Sequence, residues 1–469
     1  MRNYDLSNFT RSSVGFEPFF SILNGAHRRQ EAEGNFPPYD IVRKDDANYS
    51  IRLAVAGFSP HDITITAQQN LLKVAGRKPS QPDREYLYEG ITDAEFERQF
   101  SLADHVEAYP DIPIFFQTSW YGHHVWATTS KYRAIRRGRK SPMRLLIGPW
   151  LHGYDDFART YAGDVDFGPE SRIDINELRR LWFDATLKEI DNGVLNGPDV
   201  LIFVMGGGRG SRDASGRLEH GGSWRSAPTF PPEPAEEVVL HLHGDGRLRS
   251  EPPSSDETVL SFIFDPVDPV PTIGGGVQNG MFPGLIQGGA QDQRGRQDLW
   301  ACCDTEPLAR RQDVLVFETE PFEEDVDIIG PVTVRLFVSS TAKDTDFTAK
   351  LIDVHPPSPE WPEGFAMNLS DSILRCRYRD GFDRESWLEP GRVVEIVVEP
   401  QAIGNRFARG HRLRLDISSS NFPRFDVNSN TGEPTGLERH VEAATNRVHF
   451  GPLHPSRLVL SRAGGPGAS

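Results

Sequence analysis

The sequence predicts a mixed but mostly β protein in three successive regimes. An antiparallel β-sandwich module comes first, then a remnant of parallel sheet with helices, then a long β-sandwich of jelly-roll type. Gly 43 and Pro 36 together make about a sixth of the 469 residues, a loop-rich bias that favours many short strands over long helices. Period-2 alternation marks the first hundred residues, and short β-branched runs separated by Gly, Pro and Asp turns fill the last part. At roughly 150 residues per domain the length suits about three domains, with expected spans of 1–107, 108–197 and 198–463.

In the first span, Tyr49, Ile51, Leu53 and Val55 alternate with Ser50, Arg52 and Ala54. A turn at Gly57-Phe-Ser-Pro60 leads to Ile63-Thr-Ile-Thr66 and then Leu71-Leu-Lys-Val74. Turn residues between short alternating runs are the mark of an antiparallel sheet. Ahead of them stand an aromatic cluster at 14–20 and a polar arm at 24–36. In the second span 112–116 is a near-continuous apolar run, as a buried parallel strand requires. A helix is expected over 123–137 and a second buried strand over 143–147. Asp174-Ile-Asn-Glu177 is a helix start with an acidic fourth residue, and Leu178, Leu181, Trp182 and Leu187 form one stripe behind it. The third span begins with 200–205 and continues through β-branched runs to 458–460, without an internal repeat.

Composition excludes several classes. Hydrophobic residues at 37% and charged ones at 25% belong to a globular chain with sizeable cores. Lys+Arg 51 against Asp+Glu 67 leaves −16, which argues against nucleic acid or anionic membrane as a partner. No apolar run approaches the roughly 20 residues that span a bilayer, and the opening residues lack an apolar h-region. Three Cys, two of them adjacent at Cys302 and Cys303, cannot make a disulfide framework. The expectation is a cytoplasmic protein.

The strings Leu53-Ala-Val-Ala-Gly-Phe58, Asp62-Ile-Thr-Ile-Thr66, Asn70-Leu-Leu-Lys-Val-Ala-Gly-Arg77, Glu85-Tyr-Leu-Tyr-Glu-Gly-Ile91 and Phe96-Glu-Arg-Gln-Phe-Ser-Leu-Ala-Asp104 resemble the α-crystallin domain of small heat shock proteins, the inclusion-body-binding type above all. The resemblance stops after Glu107, before the family's last strand pair and its C-terminal Ile-x-Ile tail. From about Tyr109 to Leu460 a different resemblance takes over. Ile147-Gly-Pro-Trp-Leu-His-Gly153, Trp182-Phe-Asp184, Phe203-Val-Met-Gly206, Asp265-Pro-Val-Asp-Pro-Val-Pro-Thr272, the 344–354 run and the 410–426 run look like the CocE/NonD family of serine hydrolases. That family implies an α/β-hydrolase with a Ser-Asp-His triad and a jelly roll of X-Pro dipeptidyl-peptidase C-terminal type.

Carried over residue by residue, the triad is incomplete. His152 matches the family's base, in a loop after a parallel strand, where such a base belongs. The acid is expected in Thr118-Ser-Trp-Tyr-Gly122, but Gly122 stands where the family has Asp, and Asp155 and Asp156 are the nearby substitutes. No Gly-x-Ser-x-Gly occurs in the sequence. Ser59, in Gly57-Phe-Ser-Pro-His61, comes nearest and lies in the heat-shock-like part. The fold's order is Ser, acid, His, so the nucleophile is expected before residue 112, which the heat-shock-like segment occupies.

Other candidates read as structural. Gly206-Gly-Gly-Arg-Gly210 lacks the Gly-Lys-Ser/Thr ending of a phosphate loop. The basic run 131–140 reads as a solvated helix end, and Asn421 to Asp426 as a turn that packs the jelly roll on the hydrolase sheet. His123 and His124, as neighbours on a helix, are expected to point apart and make poor ligands for one metal. Asp344, Asp346 and Asp353 alternate along a strand-like run, so neither metal nor cofactor is expected. Three functional readings follow: a hydrolase of esters or X-Pro peptides by family, inactive here; an ATP-independent holdase binding unfolding clients and self-associating through 1–107; or a non-functional chimera. A parallel sheet of two strands should also be the weakest part, with a protease-resistant fragment starting near 198.

Overall fold

The computed structural model describes residues 39–43, 49–55, 58–68, 71–77, 96–101 and 109–464, apart from short breaks at 154, 255–257, 278–283, 382–384 and 435. The aromatic cluster at 14–20, the arm at 24–36, the 85–91 string and the 105–107 end of the heat-shock-like part lie outside the described residues. Strand makes up 38% and helix 11%, so the fold is mostly β, as the turn-rich composition requires.

The first span holds an antiparallel hairpin, Tyr39–Arg43 with Tyr49–Leu53, and an antiparallel three-stranded sheet of Ile63–Gln68, Leu71–Gly76 and Phe96–Ser101. Ser59 closes the turn ahead of the sheet. Its amide and its hydroxyl both donate to Asp62 Oδ2, at 2.7 and 2.8 Å, a capping arrangement that gives this Ser a structural role.

From residue 109 onward the chain builds one large sheet of 13 strands against a smaller one of four. Ile114–Ser119 and Met143–Gly148 pair in parallel, and Val200–Met205 joins Met143–Gly148 in parallel as well. The parallel part therefore has three strands where the sequence predicted two. A β-branched run reads the same in a parallel sheet and in a jelly roll, and Val200–Met205 pairs with both. On its other side this strand takes Gly222–Ala227 antiparallel and meets Ile403–Phe407 through Met205 and Asn405. That junction welds the parallel strands to the jelly-roll strands Val326–Gly330, Arg457–Ala463, Thr333–Ser340, Ala444–Phe450 and Thr258–Phe264 in one continuous sheet. The facing sheet runs Leu315–Glu318, Arg412–Ser418, Asp346–His355, Phe365–Arg375.

Helices cover both faces of the parallel strands. Phe115 and Phe116 are neighbours on one strand and so point to opposite faces. Phe116 meets Tyr132 of helix Val125–Ile135 edge-on at 5.9 Å, and Phe115 stacks on Trp182 of helix Ile175–Leu187 at 5.6 Å. Helix Val125–Ile135 buries Val125, Thr129, Tyr132 and Ile135, a three-to-four-residue spacing that puts them on one stripe. Asp174 caps the second helix by accepting from the Glu177 amide at 3.0 Å. Its predicted stripe holds for Trp182, which is buried, but Leu187 is 76% exposed. Ile114–Ser119 ends the strand order of the sheet, and Ile112, Trp126, Phe183, Leu187 and Ile190 are all exposed.

A single hydrophobic cluster runs from Trp120 and Tyr121 through Phe203 to Phe450 and Ala463. Trp120 lies 2% exposed and donates from Nε1 to the Phe203 carbonyl at 2.7 Å, while the Tyr121 hydroxyl donates to the Asn368 carbonyl at 3.0 Å. A shared core of this kind unfolds as a unit. On that basis limited proteolysis is expected to leave a body starting near 109.

Candidate functional site

The loops that follow the first two parallel strands are zipped together by their backbones. Trp120 donates to the Gly148 carbonyl at 2.8 Å, Tyr121 to the Trp150 carbonyl at 3.3 Å, and Gly122 turns back on Ser119 at 2.8 Å. Gly148 is needed there, because a Cβ would fall 2.2 Å from the Trp150 ring. These bonds bring 122–124 beside 151–153 beyond the carboxyl ends of the strands, where an α/β sheet places its chemistry.

Three imidazoles meet at this point. The rings of His123 and His124 lie 3.8 Å apart between centroids, His123 and His152 4.4 Å, and His124 and His152 5.3 Å. The expectation that His123 and His124 point apart is overturned. The helix begins at Val125, and His124 sits before it with φ −101 and ψ 3. Both residues are on a turn, so helical angles do not separate them. His124 and His152 are exposed. Loss of water around its ring, reinforced by His124 and His152 and by the Arg424 charge, pushes His123 down to about 3. Desolvation, with His152 and Lys131, lowers His124 as well.

His152 lies in the loop after Met143–Gly148, and among the described residues no carboxylate or serine is bonded to its ring. Gly122 offers no carboxylate, and a Cβ there would sit 2.6 Å from Ser119 Oγ. That hydroxyl is turned toward the Leu151 carbonyl at 3.3 Å. Asp155 begins the 3-10 turn Asp155–Ala158, and the side chains of Asp155 and Asp156 lie outside the described residues. Ser59 caps the turn Pro60–Asp62 ahead of the Ile63–Gln68 strand.

A second group, which sequence reasoning missed, is buried. Asp353 accepts from His411 Nδ1 at 2.8 Å and from Asn405 Nδ2 at 2.9 Å, and Asn405 Oδ1 meets His220 Nε2 at 2.9 Å. His355 packs against His411 with ring centroids 4.1 Å apart, its Nε2 4.0 Å from Asp353 and without a hydrogen-bond partner. Burial opposes charge on Asp353, yet His355, His411 and His220 outweigh it and hold the carboxyl below its ordinary range. Burial, against the pull of Asp353, pushes His355 down to about 3. These residues come from separate elements scattered over almost 200 positions, so no local spacing announces them. The only sequence signal is a His ending the otherwise buried run Asp346–His355.

The remaining candidates find structural partners. Asp344 pairs with Arg377 at 2.8 Å and Asp346 with Arg375 at 3.1 Å, while Asn428 bridges the two carboxylates. The glycine loop uses its amides on its own chain: Gly206, Gly208 and Gly210 donate to Gly221, His220 and Glu219. Asn421 and Arg424 both hold Asp371, and Asp426 pairs with Arg375. Arg424 thereby brings the jelly-roll signature to the edge of the histidine cluster. Cys302 and Cys303 are free thiols, as is the buried Cys376.

A His-bearing loop after a parallel strand, with a jelly roll welded behind it, has clear relatives. Residues 192–459 match the X-Pro dipeptidyl-peptidase C-terminal non-catalytic domain, and residues 41–110 the Hsp20/alpha crystallin family. Cocaine esterase of Rhodococcus sp. is 32% identical over 444 residues, 89% of this chain and 68% of that protein. Small heat shock protein HspD of Bradyrhizobium diazoefficiens is 47% identical over 107 residues, 23% of this chain and 70% of that protein. The chain belongs to two families, CocE/NonD hydrolases and small heat shock proteins. The two curated shares, 89% and 23%, together exceed the whole chain, so the two alignments overlap. Among solved structures, an aminopeptidase from a marine sediment Thaumarchaeota archaeon has a TM-score of 0.62 at 26% identity, and an α-amino acid ester hydrolase 0.60 at 24%, which shows the fold. Each covers 77% of this CocE/NonD-type chain, which in turn spans only 56% and 57% of theirs.

Proposed function

We propose that this chain is a catalytically silent member of the CocE/NonD hydrolases, keeping the family's base and scaffold without serine-hydrolase turnover. The observation that carries this reading is His152 itself: its described ring neighbours are two other imidazoles, with Gly122 in the acid's place. A Ser nucleophile needs a base that is oriented by a third group, and an imidazole flanked by imidazoles has none. The family's small ester and X-Pro peptide substrates are therefore not expected to turn over. The full chain and its His152→Ala variant should hydrolyse p-nitrophenyl esters and X-Pro p-nitroanilides at equal, background rates. A wild-type kcat/KM at least a hundredfold above His152→Ala would defeat the proposal.

A second reading, a holdase, draws on the heat-shock part and on the exposed Ile112, Trp126, Phe183, Leu187 and Ile190 beside the last strand of the sheet. Apolar surface of that extent is what an unfolding client binds. On this reading clients and a second copy of the chain are the partners. Suppression of client aggregation should fall when 1–107 is removed, leaving only what the exposed residues of the 109–464 body supply. Equal suppression by the shortened chain would rule the heat-shock part out. Among the described residues no helix is long and apolar enough to cross a membrane.

A further inference from the structure

His123, His124 and His152 present one ring nitrogen each, and these three atoms all lie within 4.8 Å of one another. We propose that they form a three-histidine site for a divalent transition cation, Zn²⁺ foremost, in the place where the hydrolase triad would sit.

The ligand chemistry selects the ion. Neutral imidazoles without carboxylates suit Zn²⁺ and its neighbours in the first transition row and discriminate against Ca²⁺ and Mg²⁺, which take oxygen ligands. Three protein nitrogens with a solvent-facing fourth position is the arrangement of an open zinc site. Zn–N bonds of 2.0–2.1 Å in a tetrahedron put the nitrogens about 3.3 Å apart. From separations within 4.8 Å the nitrogens need to close by at most about 1.5 Å, which side-chain rotation of the exposed His124 and His152 supplies.

Two further observations separate this cluster from a chance meeting of surface rings. First, its backbone is fixed. The Trp120–Gly148 and Tyr121–Trp150 hydrogen bonds, with Trp120 and Tyr121 buried in the main core, hold the two loops together before any ion arrives. Second, none of the three rings takes a hydrogen bond or ion pair from a described residue, whereas in the buried group His411 and His220 are both hydrogen-bonded. Ligating nitrogens must be free of competing partners, and among the described residues these are. Of the two cations that act on the cluster, Arg424 and Lys131, Arg424 is paired with Asp371, which reduces its repulsion of an incoming ion. The chain's net −16 favours approach of cations.

The test uses the untagged full chain after chelator treatment, titrated with Co²⁺ and then Zn²⁺. One equivalent of Co²⁺ should saturate a visible absorption of four-coordinate intensity, and Zn²⁺ should displace it. His123→Ala, His124→Ala and His152→Ala should each weaken binding at least about tenfold with unchanged thermal unfolding of the metal-free chain. His355→Phe, which alters the buried group, should leave binding unchanged. Absence of a saturable one-equivalent site would overturn the proposal. So would equal affinity in the three alanine variants, or loss of binding in His355→Phe alone, which would place the ion in the buried group.

Discussion

Two histidine clusters in this molecule make opposite use of the same side chain. In the buried one, Asp353 and Asn405 hold His411 and His220 with bonds of 2.8 to 2.9 Å. In the exposed one, three rings face each other with no described partner. The difference teaches which part of a hydrolase scaffold is architecture. Asp353, His411 and Asn405 tie the Asp346–His355 strand of the small sheet to the Ile403–Phe407 strand of the large one, and a network of this kind has to be complete to be stable. The His152 loop carries no such duty and is free for other chemistry.

Breaking the buried cluster should have the largest effect. Asp353→Ala removes the acceptor of both His411 Nδ1 and the buried Asn405 Nδ2 and should cost about 3–5 kcal/mol, read as a lower midpoint in urea denaturation. A loss below about 1 kcal/mol would mean the network is incidental.

The buried cluster should also make the fold acid-sensitive. His355 is held down to about 3, whereas an unfolded imidazole titrates near 6.5, so below about pH 6.5 the unfolded chain binds the extra proton. Stability conferred by the neutral ring is full above that pH and falls as pH drops toward 3. By pH 5 the loss from this one residue is about 2 kcal/mol. His355→Phe should flatten the stability profile between pH 6.5 and 5 by that amount, and an unchanged slope would assign the sensitivity elsewhere.

Giving the exposed cluster a carboxylate sharpens the contrast. Gly122→Asp restores the family's residue, but its Cβ would fall 2.6 Å from Ser119 Oγ and 3.2 Å from the Ser119 carbonyl. Rotation of the hydroxyl relieves the first contact, so the cost should be about 1 kcal/mol, again by urea midpoint. Ester turnover should stay at background, because the acid alone supplies no nucleophile. Smallest of all, His124→Ala and His152→Ala should shift stability by no more than about 0.5 kcal/mol. A larger loss on thermal unfolding would mean the exposed rings pack the loops rather than stand free.

Much of this was legible from residues alone. The Asp174 cap and the buried strand Met143–Gly148 follow from local patterns, whereas His152 as the base and Gly122 in the acid's place come from the family resemblance. The run 112–116, expected to be buried, starts its strand only at Ile114 and leaves Ile112 exposed. What failed depended on contacts that sequence spacing does not encode. Val200–Met205 is an apolar run that suits either sheet, and only its pairing with Met143–Gly148 decides. A helix from 123 would point His123 and His124 apart, and a start two residues later, at Val125, reverses their geometry. Leu187 completes an amphipathic stripe, yet it has no described neighbour to bury it and is exposed.

The most direct test of the silent-hydrolase reading is intact-mass spectrometry of the full chain after saturation with a fluorophosphonate probe. The account predicts unmodified protein, before and after Gly122→Asp. A stoichiometric adduct on one serine that disappears in His152→Ala would contradict it, since it would show a working nucleophile paired with this base.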